Sequence, residues 1–260
     1  MKVLVPILIG LMVVGCAITV EFPHGAQDKQ TRPFVNTLGM KFVSVPGTDV
    51  QFCIWETRVK DYAAYATMNE GVSMEWKTPE FVQLDTHPVV RVRWEDAQAF
   101  CTWLTKKEQT EGKLKAGQLY RLPTDAEWSV AVGLGKETGN TPKEKHKRIE
   151  DVYPWGKEWP PPIRAGNYGQ SLKVDSFVYT SPVGSFEANE NGLYDLGGNV
   201  WEWCEEKWTP TDNFHVYRGA SWGRYHQVFL LSSDRNVNSP GRVDRDCVGF
   251  RCVLTNGSGR

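Results

Sequence analysis

The residues with the widest chemical reach in this chain are its six cysteines, at positions 16, 53, 101, 204, 247 and 252. As thiolates they are soft metal ligands, and as pairs they form disulfides wherever the surroundings oxidise. Five histidines, His24, His87, His146, His215 and His226, could also ligate a metal. No two stand three or four apart, so they read as exposed or singly bonded groups. Gly219-Ala220-Ser221-Trp222-Gly223 fits the G-x-S-x-G pattern of a hydrolase nucleophile. That device needs a strand–turn–helix setting and later Asp and His partners. Here His226 follows almost at once and no helix pattern succeeds it, so Ser221 reads as a pocket-lining or backbone-bonding residue. Glu202, Glu205 and Glu206 could supply paired catalytic carboxylates, but a ligand role for Glu202 and a solvated face explain them more simply. Trp201, Trp203, Trp208 and Trp222 could form a sugar or peptide platform, with core packing as the default.

Cys16 has a setting of its own. Met1-Lys2 is followed by an apolar run from Val3 to Val14 and then Gly15-Cys16. The run is shorter than the roughly 20 apolar residues a spanning helix needs. A charged start, a short apolar core and a small residue before the cut describe a secretory leader. Val13-Val14-Gly15-Cys16 resembles a bacterial lipobox, and cleavage before Cys16 leaves that thiol to carry lipid. The expectation is an exported protein held at the bacterial cell envelope by a lipid anchor. Residues 1–15 are the leader, 16–33 the anchor and tether, and 34–256 one domain. Lys plus Arg is 30 against 31 Asp plus Glu, so no net field directs the chain to nucleic acid. Eleven Trp, nine Tyr and eleven Phe with 24 Gly and 15 Pro favour aromatic packing between loops and short strands over a helical bundle.

Three helices are predicted to position these residues. The first runs from about Arg58 to Met68, capped by Thr57, with Val59, Tyr62, Ala63 and Ala66 on one face. The second runs from about Glu95 to Glu108 and turns Ala97, Phe100, Cys101 and Leu104 inward. The third opens at Thr124, where Glu127 three residues on completes a capping box, and ends at Gly133. The charge run Lys143 to Asp151 reads as a solvated loop. Beyond about residue 150 short apolar pieces alternate with Gly, Pro, Asn and Asp, which indicates loops and short strands. The class is α+β, with one domain.

Seven phrases then accumulate in order: Asn36-Thr37-Leu38-Gly39-Met40-Lys41-Phe42; Glu56-Thr57-Arg58-Val59; Val92-Arg93-Trp94-Glu95-Asp96-Ala97; Tyr120-Arg121-Leu122-Pro123-Thr124-Asp125-Ala126-Glu127-Trp128; Asn191-Gly192-Leu193-Tyr194-Asp195-Leu196-Gly197-Gly198-Asn199-Val200-Trp201-Glu202-Trp203; Arg218-Gly219-Ala220-Ser221-Trp222; and Gly249-Phe250-Arg251-Cys252. Together they resemble the formylglycine-generating enzyme (sulfatase-modifying factor) family over about residues 36–254. The resemblance implies a C-type-lectin-related fold with little regular secondary structure, held by calcium and disulfides. The family's founding activity oxidises a sulfatase cysteine to formylglycine, using oxygen and a copper ion held by two cysteines. Iron-dependent relatives use a separate His-rich site, and other relatives bind ligands with no known chemistry.

Carried onto this chain, the resemblance implies one calcium site at Asn167, Tyr168, Asp175 and Phe177. It implies a second at Asp195, Gly198, Val200 and Glu202. Cys101 and Cys252 match a family disulfide, while the pairing of Cys53, Cys204 and Cys247 stays open. Arg224 and Phe229 fall where the copper enzymes carry their two thiols, and no cysteine stands between Cys204 and Cys247. Copper is therefore not expected, and no catalytic residue is assigned. Two function classes follow. One is a binding module whose groove, around Trp201, Ser221, Trp222, Arg224 and Phe229, holds a peptide, a glycan or an exported protein. The other is a divergent oxidoreductase-type maturation enzyme acting on exported proteins.

Overall fold

Short apolar pieces from both ends of the chain meet in one sheet. A computed structural model describes residues 32–242 and 246–257, all within one unit. The leader, Cys16, His24 and most of the tether lie outside the described residues. Strands β1 (Phe34–Val35), β2 (Lys41–Ser44) and β3 (Val50–Cys53) run antiparallel. The last strand, β9 (Val253–Thr255), inserts between β3 and β4 (Tyr120–Arg121), so the order is β1-β2-β3-β9-β4. No strand is predicted before the helices. Each of β2 and β3 has four residues, too few for a period of two to stand out. A second sheet has the order β7-β6-β5-β8, from Asn236–Asn238, His215–Arg218, Trp201–Lys207 and Val248–Gly249. Only β5 and β8 are parallel in it.

The helices are α1 (Val59–Met68), α2 (Trp94–Thr110), α3 (Asp125–Ala131) and the single-turn α4 (Pro142–Lys145). In α2, Ala97, Phe100, Cys101 and Leu104 are buried, as the period predicts. In α1 the anchors are Tyr62 and Tyr65, with Val59, Ala63 and Ala66 half-buried beside them. The cap of α1 is Arg58 rather than Thr57. Thr57 is committed to extended pairing, donating to the Phe250 carbonyl and accepting from the Val89 N–H, so Asp61 reaches back to the Arg58 N–H at 3.1 Å instead. The Thr124–Glu127 capping box forms as predicted, with bonds of 3.1 and 2.8 Å. Tyr62 stacks on Phe100 at 5.9 Å, and Phe250 meets both rings edge-on in the larger core.

A buried ion network fastens α3 to the second sheet. Asp125 lies between Arg218 (2.5 Å) and Arg235 (2.8 Å), and Arg235 also pairs with Glu137. Burial alone would raise the Asp125 carboxyl, but the two guanidiniums outweigh it and hold it below its usual range. The Arg218 guanidinium also rests on the Trp128 ring at 4.4 Å. Two expectations change here. The charge run after Pro142 is not simply a solvated loop, because Lys145 turns in to Asp125 (3.7 Å) and Lys147 to Asp234 (3.3 Å). Glu206 is not on a solvated face either, because its Oε2 accepts the first N–H of α3, that of Asp125, at 2.6 Å.

From residue 146 to 200 there is neither strand nor α-helix, only a 3-10 turn at Gln170–Leu172. Side-chain amides and carboxylates satisfy the backbone that regular structure would otherwise pair. Asn189 Oδ1 accepts two backbone N–H groups while its Nδ2 donates to the Ala131 carbonyl at 2.8 Å. Buried Asn199 and half-buried Asp175 do the same for the loops that carry the candidate site.

Candidate functional site

Residues 167–177 and 195–200 form adjoining loops, tied by the Asn199 N–H donating to the Asn167 carbonyl at 2.8 Å. In the first loop Asp175 accepts the N–H groups of Tyr168 (3.0 Å) and Phe177 (2.8 Å). Asn167 is fully buried, and its Oδ1 has no hydrogen-bond partner. A buried amide oxygen without a donor, one carboxylate and nearby carbonyls suit a hard cation such as calcium. No three His, Cys, Asp or Glu side chains gather into a metal site among the described residues. A cation here would therefore rely on amide and carbonyl oxygens, held by Asn167, Tyr168, Asp175 and Phe177.

The second loop turns sharply. Asp195, Gly198 and Asn199 all have positive φ, and a Cβ on Gly198 would stand 2.3 Å from the Asn167 carbonyl oxygen. Asp195 accepts the Gly184 N–H at 2.7 Å. Its carboxyl is pushed up to about 6, chiefly by burial. Glu202 fits calcium less well than its sequence position suggests. Its carboxylate receives Arg251 in a two-point pair (2.7 and 2.5 Å) and the Trp128 indole N–H (3.0 Å). Those donors take up its oxygens inside the core. Glu56 lies close to the same charges. Burial, Asp195 and Glu202 raise its carboxyl well above the usual range, and its Oε1 has no partner.

The groove segment follows β6. Ser221 is buried with an unpartnered Oγ, on a turn where Ala220 has φ +64°. Only a 3-10 turn, Gln227–Phe229, follows it, in place of the helix that a hydrolase nucleophile needs. Trp222 is half-buried and part of an aromatic ridge: Phe81 and Tyr179 stack at 4.6 Å, and Trp222 meets them edge-on at 5.8 and 5.1 Å. Val82, Leu84 and Val178 are exposed near these rings in the chain. The Arg224 guanidinium sits over the Phe229 ring at 5.3 Å. A guanidinium on a phenyl ring supplies no soft donor, so these residues do not fit copper. Trp201, expected in the groove, is fully buried against Tyr217 instead. Its place at the start of β5, between β6 and β8, turns it into the core.

Cys101 and Cys252 are brought together with their Sγ atoms 3.5 Å apart, as two thiols. Cys53 stands beside them, donating its N–H to the Cys252 carbonyl at 2.9 Å. Cys204 lies in the smaller core and Cys247 beside the larger one. His87 bonds Thr180 at 2.9 Å, and His215 bonds the Glu205 carbonyl at 3.1 Å. His146 accepts the Arg235 N–H at 3.2 Å. Burial and the cations around it push His146 down to about 4, so it is neutral and its approach to Asp234 is not an ion pair.

The sequence reading did not assign Phe81, Tyr179, Arg251 or Glu56 to the site. The Glu56-Thr57-Arg58 and Gly249-Phe250-Arg251 phrases point at two of them, while nothing in the periodicity marks the rings.

Residues 21–256 match the sulfatase-modifying factor enzyme 1-like domain. The inactive C-alpha-formylglycine-generating enzyme 2 of Bos taurus is 34% identical over 189 residues, 66% of this chain and 51% of that protein. The formylglycine-generating enzyme of Streptomyces coelicolor is 32% identical over 215 residues, 70% of this chain and 60% of its own length. The chain thus spans a little over half the length of these relatives. PvdO from Pseudomonas aeruginosa has a similar structure, with a TM-score of 0.64 at 22% identity, covering 87% of this chain and 99% of that one. That likeness is one of fold.

Proposed function

Because this chain belongs to the sulfatase-modifying factor enzyme 1-like family, we propose that it is a binding member of that family rather than a copper-dependent formylglycine oxidase. It is exported, lipid-anchored through Cys16 and stabilised by calcium. One observation carries this reading. Where the copper enzymes place two thiols, this chain has Arg224 and Phe229 in mutual contact, with Arg224 two residues past Trp222 of the aromatic ridge in the chain. Ring faces cover apolar stretches of a peptide or the C–H face of a sugar, and a guanidinium adds a charged contact. The partner is a peptide, a glycan or an exported protein.

Metal analysis of the purified protein, with oxygen uptake on a Cys-x-Pro-x-Arg peptide, tests the reading. Calcium alone, no oxidation after copper loading, and loss of peptide or glycan binding in Trp222→Ala are the expected results. Stoichiometric copper or iron with oxygen consumption overturns it in favour of a divergent maturation enzyme. The buried, unpartnered Ser221 Oγ, held at a strained turn, is the observation on that side.

A further inference from the structure

The two ends of the Asn167 side chain are in different states. Nδ2 donates to the Tyr179 carbonyl at 2.8 Å and to Asn199 Oδ1 at 3.3 Å. Both partners are acceptors, so the nitrogen must face them and the oxygen must face away. Oδ1 is then left buried without a donor, an arrangement that is costly to maintain. Asp175 brings a negative charge to the same place by bonding the N–H of the next residue, Tyr168. A cation between these oxygens removes the cost.

What the nitrogen end holds is the aromatic ridge. The Tyr179 carbonyl is its partner, and the Tyr179 ring contacts both Phe81 and Trp222. A second route runs through the backbone. The Trp222 N–H donates to the Asn199 carbonyl at 2.9 Å, and the Asn199 N–H to the Asn167 carbonyl at 2.8 Å. Two sets of hydrogen bonds therefore connect one candidate cation ligand to two of the three rings.

We infer that calcium bound by Asn167, Tyr168, Asp175 and Phe177 sets the position of the Phe81–Tyr179–Trp222 ridge, so that binding on this face is calcium-dependent. The inference rests on the reading of this loop as a calcium site and of this face as the binding face. A cation on Oδ1 polarises the amide and strengthens the bonds Nδ2 donates. It thereby favours the ridge arrangement that those bonds hold. Linkage makes the coupling reciprocal, so a ligand on the ridge tightens calcium by the same factor.

The test uses full-length protein labelled with 5-fluorotryptophan, with the Trp222 resonance assigned by Trp222→Phe. Calcium is titrated against a chelator while calorimetry follows binding. The expected result is a saturable shift of the Trp222 resonance with the calorimetric midpoint, and a midpoint at least about tenfold higher in Asn167→Ala. Calcium binding that leaves the resonance in place overturns the coupling but not the binding-face reading. A shift unchanged in Asn167→Ala means that the ion acts from elsewhere, and the inference falls. No calcium binding at all overturns both the inference and the calcium reading, while the Trp222→Ala binding test still judges the face. If Asn167→Ala does not fold, Asp175→Asn takes its place under the same criteria.

Discussion

At the scale of single residues, the Glu202 carboxylate is met by Arg251 and the Trp128 indole in a fully buried setting. The pair spans β5 and the run into β9, so it joins the two sheets. Truncating one member strands the other charge, which costs about 3–5 kcal/mol. Glu202→Ala and Arg251→Ala should each lower stability by that much in urea unfolding. The double variant should lose clearly less than their sum, and an additive result would rule out the pairing. Glu206 offers a test through pH. Burial raises its carboxyl from 4.5 to about 7, with Asp125 and Glu205 adding to the rise, while the Asp125 N–H it accepts opposes it. The folded state therefore holds a proton that the unfolded chain releases earlier. The stability this gives is complete below about pH 4.5 and is lost as pH rises through 7. Glu206→Gln keeps an oxygen for the Asp125 N–H and avoids the buried charge. It should match the wild type near pH 4 and exceed it by about 1–3 kcal/mol above pH 8. Equal thermal midpoints at both pH values would refute this.

At the scale of elements, what could be read in advance was whatever rests on local rules. The inward face of α2 follows from spacing alone, and the start of α3 from a Thr and a Glu three residues apart. The strands β1 to β3 were not legible, because two- to four-residue strands carry almost no period and the outer partner of β3 is β9, which lies at the other end of the chain. The inward turn of Lys145 and Lys147 was hidden for a similar reason. Their partners, Asp125 and Asp234, stand far from them in the chain and meet them only in the folded structure. The loop from Asp195 to Val200 is intermediate: its glycines announce a turn, but not what the turn leans against. Gly198 has φ +84° and faces the Asn167 carbonyl closely enough to exclude any Cβ. Gly198→Ala should therefore cost at least about 2 kcal/mol from backbone strain and overpacking combined. It should also disturb the Asn167 loop, seen as a shifted Asn167 side-chain amide signal. A variant as stable as the wild type would mean that the turn is not held as described.

At the scale of the whole molecule, the first sheet draws its strands from residues 34–53, 120–121 and 253–255, so it cannot form until the chain has closed on itself. Cys101 and Cys252 stand where that closure is completed, one inside α2 and the other just before β9, their sulfurs 3.5 Å apart. A covalent bond there, across 151 residues, removes unfolded-state entropy worth about 4–5 kcal/mol on the chain-entropy account. The surroundings also bear on when the bond can form. Burial, with Cys101 alongside, lifts the Cys252 thiol well above its usual range, so in the folded protein almost none of it is the thiolate that attacks a disulfide. An oxidant that meets the chain while it is still open finds reactive thiols, and the bond should form then. Refolding with oxidised glutathione should yield a Cys101–Cys252 disulfide by peptide mapping and a higher denaturation midpoint than the reduced protein. Oxidant added to protein already folded in the reduced state should give the same species far more slowly. Equal rates by the two routes would mean that the pair is exposed in the native state. If Cys101→Ser has the same midpoint in oxidising and reducing buffer as the wild type, then the long closure is held by packing and hydrogen bonds alone.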